Sequence, residues 1–525
     1  MSFTGYINSR TDIELSPSQK KAVDKISTFL QDKRGPQCFI LRGCAGSGKT
    51  FLGALLKAYD PKRSYIFTPT GRAAKVVRSM VRKNEDRENI STIHHGIYQQ
   101  YSYIERYIHG EPRKPENLKS SVSKFKLRNN NNSSDTIYIC DESSMISDRK
   151  SFTQGLEFGS GDLLFDLFDH VGERKIIFIG DNAQLTPIKM YKSPALDSKY
   201  LESKFNIEVQ ECELNEIMRQ NKGSGILENA NKVRNNIFNN SQNKTLSEFD
   251  DVRFMEKKDA INSCVEKFDP KIFSNFTVVT HTRKLCQKYN LSIRERILPK
   301  IENAIAEGDR FVCGQTNYKD KIWNGELLRI KKVFYGEDDR IVKLIKLRPT
   351  KSEKKYNKEL IKDDGRIHIW LSYQRAEVEY HDVLGVRDLK TLYILENPLF
   401  SDDLTMSSIE RRAHLVEFYI RFEDSKKKYM ENNNKVSLSN YEIDIARRNG
   451  GIINREDDPL YNALICKYGY ALTAHKAQGG EWDTAIVDFD TKFPDSKSVE
   501  YLRWIYTAMT RAKKDLFIIN SDKSI

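Results

Sequence analysis

Between residue 37 and about residue 190, short apolar or β-branched runs alternate with helix-length amphipathic stretches. Cys38–Leu41, Tyr65–Thr68, Ile137–Cys140 and Ile176–Ile179 are hydrophobic without in/out alternation, the pattern of strands buried on both faces of a parallel sheet. The rhythm resumes at Phe276–Thr280, Thr484–Val487 and Leu516–Ile519. The pattern predicts an α/β fold with two doubly wound domains, the second built from segments on either side of an insertion, and a cleft between them.

Two stretches break the rhythm. Tyr98 to Asn132 interleaves Tyr98, Tyr101, Tyr103 and Tyr107 with Arg106, Arg113 and Lys114, and ends in four asparagines expected to form a flexible loop. The near-helical spacing of the tyrosines fits packing, and rings among cations also fit stacking on bases and holding phosphates. The second stretch starts with strand-like pieces, Arg310–Cys313, Leu327–Val333 and Ile341–Leu347, then turns charged and helical from Ser407 to Asn432. A small β-barrel with a helical extension fits it. The expected division is therefore 1–97 with 133–220 as the first α/β domain, 98–132 inserted, 221–307 with 461–525 as the second, and 308–460 inserted. No internal repeat with a period of about 20 to 50 residues is visible.

Composition narrows the partners. The 525 residues exceed one ordinary core, and 39% hydrophobic content is adequate to fill several. Lys plus Arg number 86 against 73 Asp plus Glu, a net charge of +13 that favours a polyanionic partner without separating nucleic acid from a merely basic surface. The eight cysteines are scattered without a CxxC pair, which implies a reduced compartment and no zinc site. Without a leader-like start or an apolar run near ~18 residues, the chain is expected to be soluble and intracellular, with no membrane partner.

Candidate chemistry begins at Gly43-Cys44-Ala45-Gly46-Ser47-Gly48-Lys49-Thr50, between a strand-like run and the helix-favouring stretch from Phe51. Glycines let backbone N–H groups wrap phosphates, Lys49 reaches the β- and γ-oxygens, and the Thr50 hydroxyl is a Mg²⁺ ligand. ATP is the expected cofactor, with residues 43–51 its cradle. A second strand-like run ends in Asp141-Glu142, suited to positioning Mg²⁺ and to taking a proton from water. One strand later, Gly180-Asp181-Asn182-Ala183-Gln184 places an amide, Gln184, where it could sense the γ-phosphate.

In this order the motifs resemble those of superfamily 1 helicases, a likeness spanning both α/β domains. Ser16-Pro17-Ser18-Gln19 resembles the Q motif that reads adenine, with Gln19 as donor and acceptor; an N-cap turn is the alternative. Pro69-Thr70-Gly71-Arg72-Ala73-Ala74 and Ser91-Thr92-Ile93-His94 resemble motifs Ia and Ib, Glu213 to Gln220 motif IV and Tyr506 to Ala512 motif VI. The resemblance implies RecA-like motor domains, Arg219 and Arg511 as arginines acting on the transferring phosphoryl, and Gly479 and Glu481 near the nucleotide. His475-Lys476-Ala477-Gln478-Gly479 is similar to motif V of the 5′→3′ branch that holds RecD, Dda and Pif-type enzymes, as is Gln184-Leu185-Thr186-Pro187 to its motif III. Dda-type phage helicases give the nearest likeness, through Cys140-Asp141-Glu142, Glu211-Cys212-Glu213-Leu214 and Asn324-Gly325.

That resemblance implies an SH3-like subdomain from Gly308, single-stranded and fork DNA as ligand, and contacts from Pro69, Thr70, His94, Thr282, Asn324, Thr473, His475 and Lys476. It implies a strand-separating wedge in the first insertion, with Tyr98, Tyr101, Tyr103 and Tyr107 as candidates. Work in replication, recombination or repair, beside single-strand-binding proteins, as a monomer in the cytoplasm of a bacterial or phage-infected cell, completes the expectation. An RNA helicase and an ATP-driven remodeller that separates no strands stay open as alternatives.

Overall fold

The computed structural model describes residues 1–10, 12–81, 87–151, 155–216, 224–239, 245–269, 275–298, 304–381, 387–401, 406–489 and 498–520. The apolar runs form two parallel sheets. The first has six strands in the order Ile90–Thr92, Ser64–Thr68, Ile137–Cys140, Lys175–Gly180, Cys38–Gly43 and Val209–Leu214, all pairings parallel. Strand periodicity divides its residues between two cores. Phe39, Leu41, Ile139 and Ile177 meet Val23, Ile26, Leu52 and Val77 on one face. Cys38, Ile40, Tyr138 and Phe178 meet Leu164, Leu167 and Leu201 on the other. Burial on both sides is why these strands read as unbroken hydrophobic runs.

The second sheet runs Val252–Phe254, Ala512–Ile519, Trp482–Asp488, Phe276–Thr280 and Ala471–Thr473, again all parallel. Between its segments, Leu327–Val333, Arg310–Cys313, Leu464–Tyr468, Arg387–Leu395 and Ile367–His381 pair in a ring that closes when Leu327–Val333 meets Ile367–His381. Arg340–Leu347 extends this barrel as a sixth strand. Leu464–Tyr468, expected in the second α/β domain, is thus a barrel strand, and the chain re-enters the second sheet only after Gly469. A short, mostly apolar run broken by one lysine, Lys467, fits either sheet, and only its partners decide. Helix Ser408–Asn432 lays Ala413 and Val416 on Leu347, Leu371 and Tyr373 of the barrel.

The first insertion is a hairpin, Tyr98–Tyr107 against Leu118–Leu127, with Leu156–Phe158 alongside. Its tyrosines therefore lie along a strand interrupted by two register shifts, and the near-helical spacing carried no helix. The asparagine tract is tied down: Asn130 Nδ2 donates to the Tyr138 hydroxyl (2.8 Å) and to His170 O (2.7 Å), and Asn132 Nδ2 to the same hydroxyl (2.9 Å). A polar run reads as a loop from sequence, whereas its buried partner Tyr138 holds it. All eight cysteines are buried and free. Among the described residues, no helix is long and apolar enough to cross a membrane.

Candidate functional site

Strand Cys38–Gly43 delivers the chain to a glycine-rich loop that opens helix Lys49–Tyr59. Gly46 and Gly48 take left-handed backbone angles, φ 78° and 82°, which let the loop curl with its N–H groups inward. Lys49 Nζ donates to Cys44 O (2.7 Å) and Ser47 Oγ to the same carbonyl (2.9 Å), so the lysine lies across the loop. Gln19 is buried beneath: Nε2 donates to Ser47 O (3.0 Å) and Oε1 accepts from Ser16 N (3.0 Å). It closes a capping box and braces the loop at once. Phe51 faces outward on the first helical turn, 36% exposed.

Asp141, at the end of Ile137–Cys140, is buried and hydrogen-bonds the Thr50 hydroxyl; burial, then the Glu142 charge, pushes its pKa up to about 7. Two hard oxygen donors beside a phosphate loop are the donor set Mg²⁺ takes, so Thr50 and Asp141 fit that ion. Glu142 sits at φ 54°, ψ 37°, a region rarely entered by residues other than glycine, with its N–H held by Asp141 Oδ1 (2.9 Å).

The second domain closes the opposite wall. Tyr506 accepts from Ala45 N (2.9 Å) and donates to Asp181 Oδ2 (2.7 Å). Arg234 reaches Asp181 Oδ1 (2.6 Å) and Glu213 Oε1 (3.0 Å), and Gln478 Nε2 spans Ser144 Oγ (3.2 Å) and Gln184 Oε1 (3.3 Å). Arg511 is buried on its own helix end, donating from Nε to Thr507 O (2.8 Å), from Nη1 to Gly480 O (3.1 Å) and from Nη2 to Thr510 Oγ1 (3.0 Å). Arg219 lies outside the described residues. Gly479, at φ 74°, faces Ala73 of the first domain, with Glu481 two residues on. Sequence reading missed Tyr506 and Arg234. Tyr506 stood in motif VI beside the arginine that drew attention, and Arg234 is one cation in the polar helix Gly225–Asn239 with no motif around it.

The carboxyl ends of both sheets carry threonines in matching register. Thr68 pairs with Thr92 in the first sheet, and Thr280 with Thr473 in the second. Thr70 caps helix Gly71–Met80 through Ala73 N (3.2 Å), and Thr282 caps Arg283–Ile297 through Leu285 N (3.2 Å). Even the turn repeats, since Thr68 Oγ1 donates to Thr70 O (2.8 Å) across Pro69, and Thr280 Oγ1 to Thr282 O (3.2 Å). Helix starts of this kind present free N–H groups and positive potential to phosphates. Thr92, which caps the short helix Ile93–Ile97, joins the row although sequence reading had singled out its neighbour His94. His94 packs between Tyr98 and Phe158, and burial lowers its pKa to about 4, so it is neutral at pH 7. Burial, then His281 and Arg283, likewise lowers His475. Lys476 Nζ donates to Asn324 Oδ1 (2.5 Å), which joins two expected contacts, and burial lowers its pKa to about 8.

The four tyrosines of the hairpin separate. Tyr98 is 3% exposed and donates to Asp166 Oδ2 (2.6 Å), a core residue and no wedge. Tyr103 lies under the Arg455 guanidinium at 3.5 Å, packed against the barrel's extension. Tyr107 donates to Glu105 Oε2 (3.0 Å), whereas Tyr101 is 56% exposed beside Ile104 at 37%. The barrel and its extension hold the hairpin through Arg412 Nε on Leu118 O (2.6 Å) and Arg348 on Glu111 (2.6 Å).

No curated protein matches the chain. Among solved structures it is similar to a Pif1 helicase from Bacteroides in complex with ADP-AlF3 and ssDNA, at 15% identity and TM-score 0.43, over 97% of this chain and 93% of that one. It is also similar to the Pif1 helicase from Candida albicans, at 13% identity and TM-score 0.42, over 97% and 95%. Residues 14–257 match the family model of an AAA domain, and residues 468–519 match that of a UvrD-like helicase C-terminal domain.

Proposed function

We propose that the chain is an ATP- and Mg²⁺-dependent motor that moves 5′→3′ along single-stranded DNA and separates duplex ahead of it. One observation carries the reading. A phosphate loop with a Thr50–Asp141 pair lies in a seam between two parallel sheets, and both sheets display the same threonine-capped helix starts at their carboxyl ends. The AAA and UvrD-like matches support an ATP-driven helicase of superfamily 1, and the motif V likeness at His475 to Gly479 supports DNA and the 5′→3′ direction.

In this reading the loop N–H groups hold the phosphates and Lys49 leaves Cys44 O for their oxygens. Thr50 and Asp141 would hold Mg²⁺, which when bound offsets phosphate charge. Glu142 takes the proton of the attacking water, positioned by Gln184 with Gln478 behind it. Arg511 and Arg219 stabilise charge on the phosphoryl when the walls close. Closure changes the spacing between the threonine pairs, so one grip advances relative to the other. Binding through phosphates is sequence-independent and salt-sensitive. Tyr101 and Ile104 are the exposed groups of the hairpin that would meet the first base pair.

The test is ATP-dependent unwinding of duplexes bearing a 5′ or a 3′ single-stranded tail, with DNA-stimulated ATPase measured alongside. Activity on the 5′ tail alone is expected. Preference for the 3′ tail overturns the direction, and stimulated hydrolysis without strand separation reduces the chain to a translocase or remodeller.

A further inference from the structure

Arg72 is 8% exposed, and its guanidinium stands where three parts of the molecule meet. It starts from helix Gly71–Met80 of the first domain, donates from Nη2 to Gly325 O of the barrel (3.0 Å), and lies over the Trp482 ring of the second domain at 4.8 Å. Its Nη1 is buried without a hydrogen-bond partner. That atom lies beside Gly480, 2.9 Å from where a Cβ there would stand. The Gly480 carbonyl is the group that holds Arg511 Nη1 at 3.1 Å.

We infer that Arg72 is a positioning residue for Arg511, and that the two guanidiniums exchange the Gly480 carbonyl as the motor closes. The inference rests on the reading above, in which Arg511 serves the phosphoryl. To do so it must leave Gly480 O, which strands a buried acceptor unless another donor arrives. The idle Nη1 of Arg72, beside Gly480, is a donor without a partner of its own. The exchange defines two discrete states, the physical content a coupling claim needs. It also links the two ligand sites. Gly325, held by Arg72, follows Asn324, which Lys476 holds on the DNA side, while Gly480 leads to Arg511 on the nucleotide side. The charge of Arg72 is felt at Lys476, and Arg72 in turn feels that of Arg511. DNA that draws Lys476 away from Asn324 would loosen the barrel loop, free Arg72 to swing, and so release Arg511.

The experiment is a double-mutant cycle on the full chain, reading DNA-stimulated ATPase at saturating DNA together with the KM for ATP and the DNA concentration at half-stimulation. Arg72→Gln is expected to lower the stimulated kcat about tenfold with both half-saturation values within about twofold. In an Arg511→Lys background, the same change is expected to cost less than about twofold, because its effect runs through Arg511. Equal losses in both backgrounds, or a loss that appears in the half-saturation values, make Arg72 a structural residue and overturn the inference. So does an unaltered kcat in the single variant. Arg72→Lys, which keeps the charge and cannot fork between two carbonyls, replaces the glutamine if that variant fails to fold, with the same outcomes expected. An unmodified chain without DNA-stimulated hydrolysis instead overturns the motor reading, and the inference with it.

Discussion

The two parallel sheets repeat one device and differ in another. Both end in paired threonines at matched register, Thr68 with Thr92 and Thr280 with Thr473, and both send the chain into a capped helix from there. Only the first continues a strand into a glycine-rich loop, at Cys44 to Gly48. At the matching edge the second sheet offers Tyr506, Arg511 and Gln478, side chains that reach into the first domain's site or lie against it. In the proposed motor the grip is therefore duplicated and the chemistry is not. In that reading a polyanionic strand is held at two points along its length, and the one proposed hydrolysis site sits in the seam whose width would set the distance between those points.

The most damaging way to test that asymmetry is to remove the chemistry and leave the grips. Lys49→Ala is expected to lower ATPase by roughly 10³-fold, since it deletes the charge that in the proposed reaction leaves Cys44 O for the transferring phosphoryl, while single-stranded DNA affinity stays within about twofold. Hydrolysis that survives the substitution places the site elsewhere; loss of DNA binding as well breaks the separation between chemistry and grip.

The hairpin supplies a second contrast, between a buried and an exposed tyrosine. Tyr101→Ala is expected to slow strand separation about tenfold while DNA-stimulated ATPase is retained, in line with the ~1–3 kcal/mol that stacking of a base on an aromatic ring contributes. Tyr98→Phe is expected to do the reverse. It breaks the 2.6 Å bond to Asp166 and should cost about 1.5–3 kcal/mol of stability, read as a fall in Tm, with unwinding unchanged at permissive temperature. If Tyr101→Ala unwinds normally, Tyr101 is not the wedge.

These contrasts show what sequence could and could not disclose. Strands such as Cys38–Gly43 and Ile137–Cys140 were legible because burial on both faces forces an unbroken hydrophobic run, and Lys49, Thr50 and Asp141 stood out as candidates because phosphate chemistry tolerates few alternatives. Tyr98 and Tyr101 are the same residue type three positions apart, and only the packing of Phe158 and Asp166 against one of them separates core from surface. Arg234 and Arg72 gain meaning from partners more than fifty positions away in the chain, Asp181 and Gly325. The repeat itself was hidden for a related reason: its units are short, a Thr-x-Thr and a Thr-x-His, and the barrel separates the two halves of the second copy.

The duplicated grip has its own test. Thr70→Val and Thr282→Val each remove a hydroxyl that caps a helix of at least ten residues, and each is expected to weaken single-stranded DNA binding by about three- to tenfold. Neither removes a charge, so the salt dependence of binding should keep its slope. A large effect from one and none from the other would mean that the two sheets do not share the strand equally, whatever their register.

The finest distinction between the grips is electrostatic. After the shared Thr-x-His, the first sheet carries His95 and the second Lys476. Burial, then Arg128, Arg78 and Lys321, lowers the pKa of His95 below the usual imidazole value, so that side chain is neutral at pH 7. Burial lowers Lys476 to about 8, so it is charged at pH 7 and loses its proton within the accessible alkaline range. A phosphate favours the protonated ammonium. The second grip's contribution should therefore be full below about pH 7 and fade as pH rises through about 8, whereas the first grip should show no change there. DNA affinity is expected to fall a few-fold between pH 7 and 9 in the unmodified chain, and to stay level with Lys476→Arg, whose guanidinium keeps its charge. Lys476→Ala should flatten the profile at the weaker level and reduce the salt slope by about one. An unchanged pH profile in both variants would remove Lys476 from the phosphate track and leave the two grips alike in charge as well as in register.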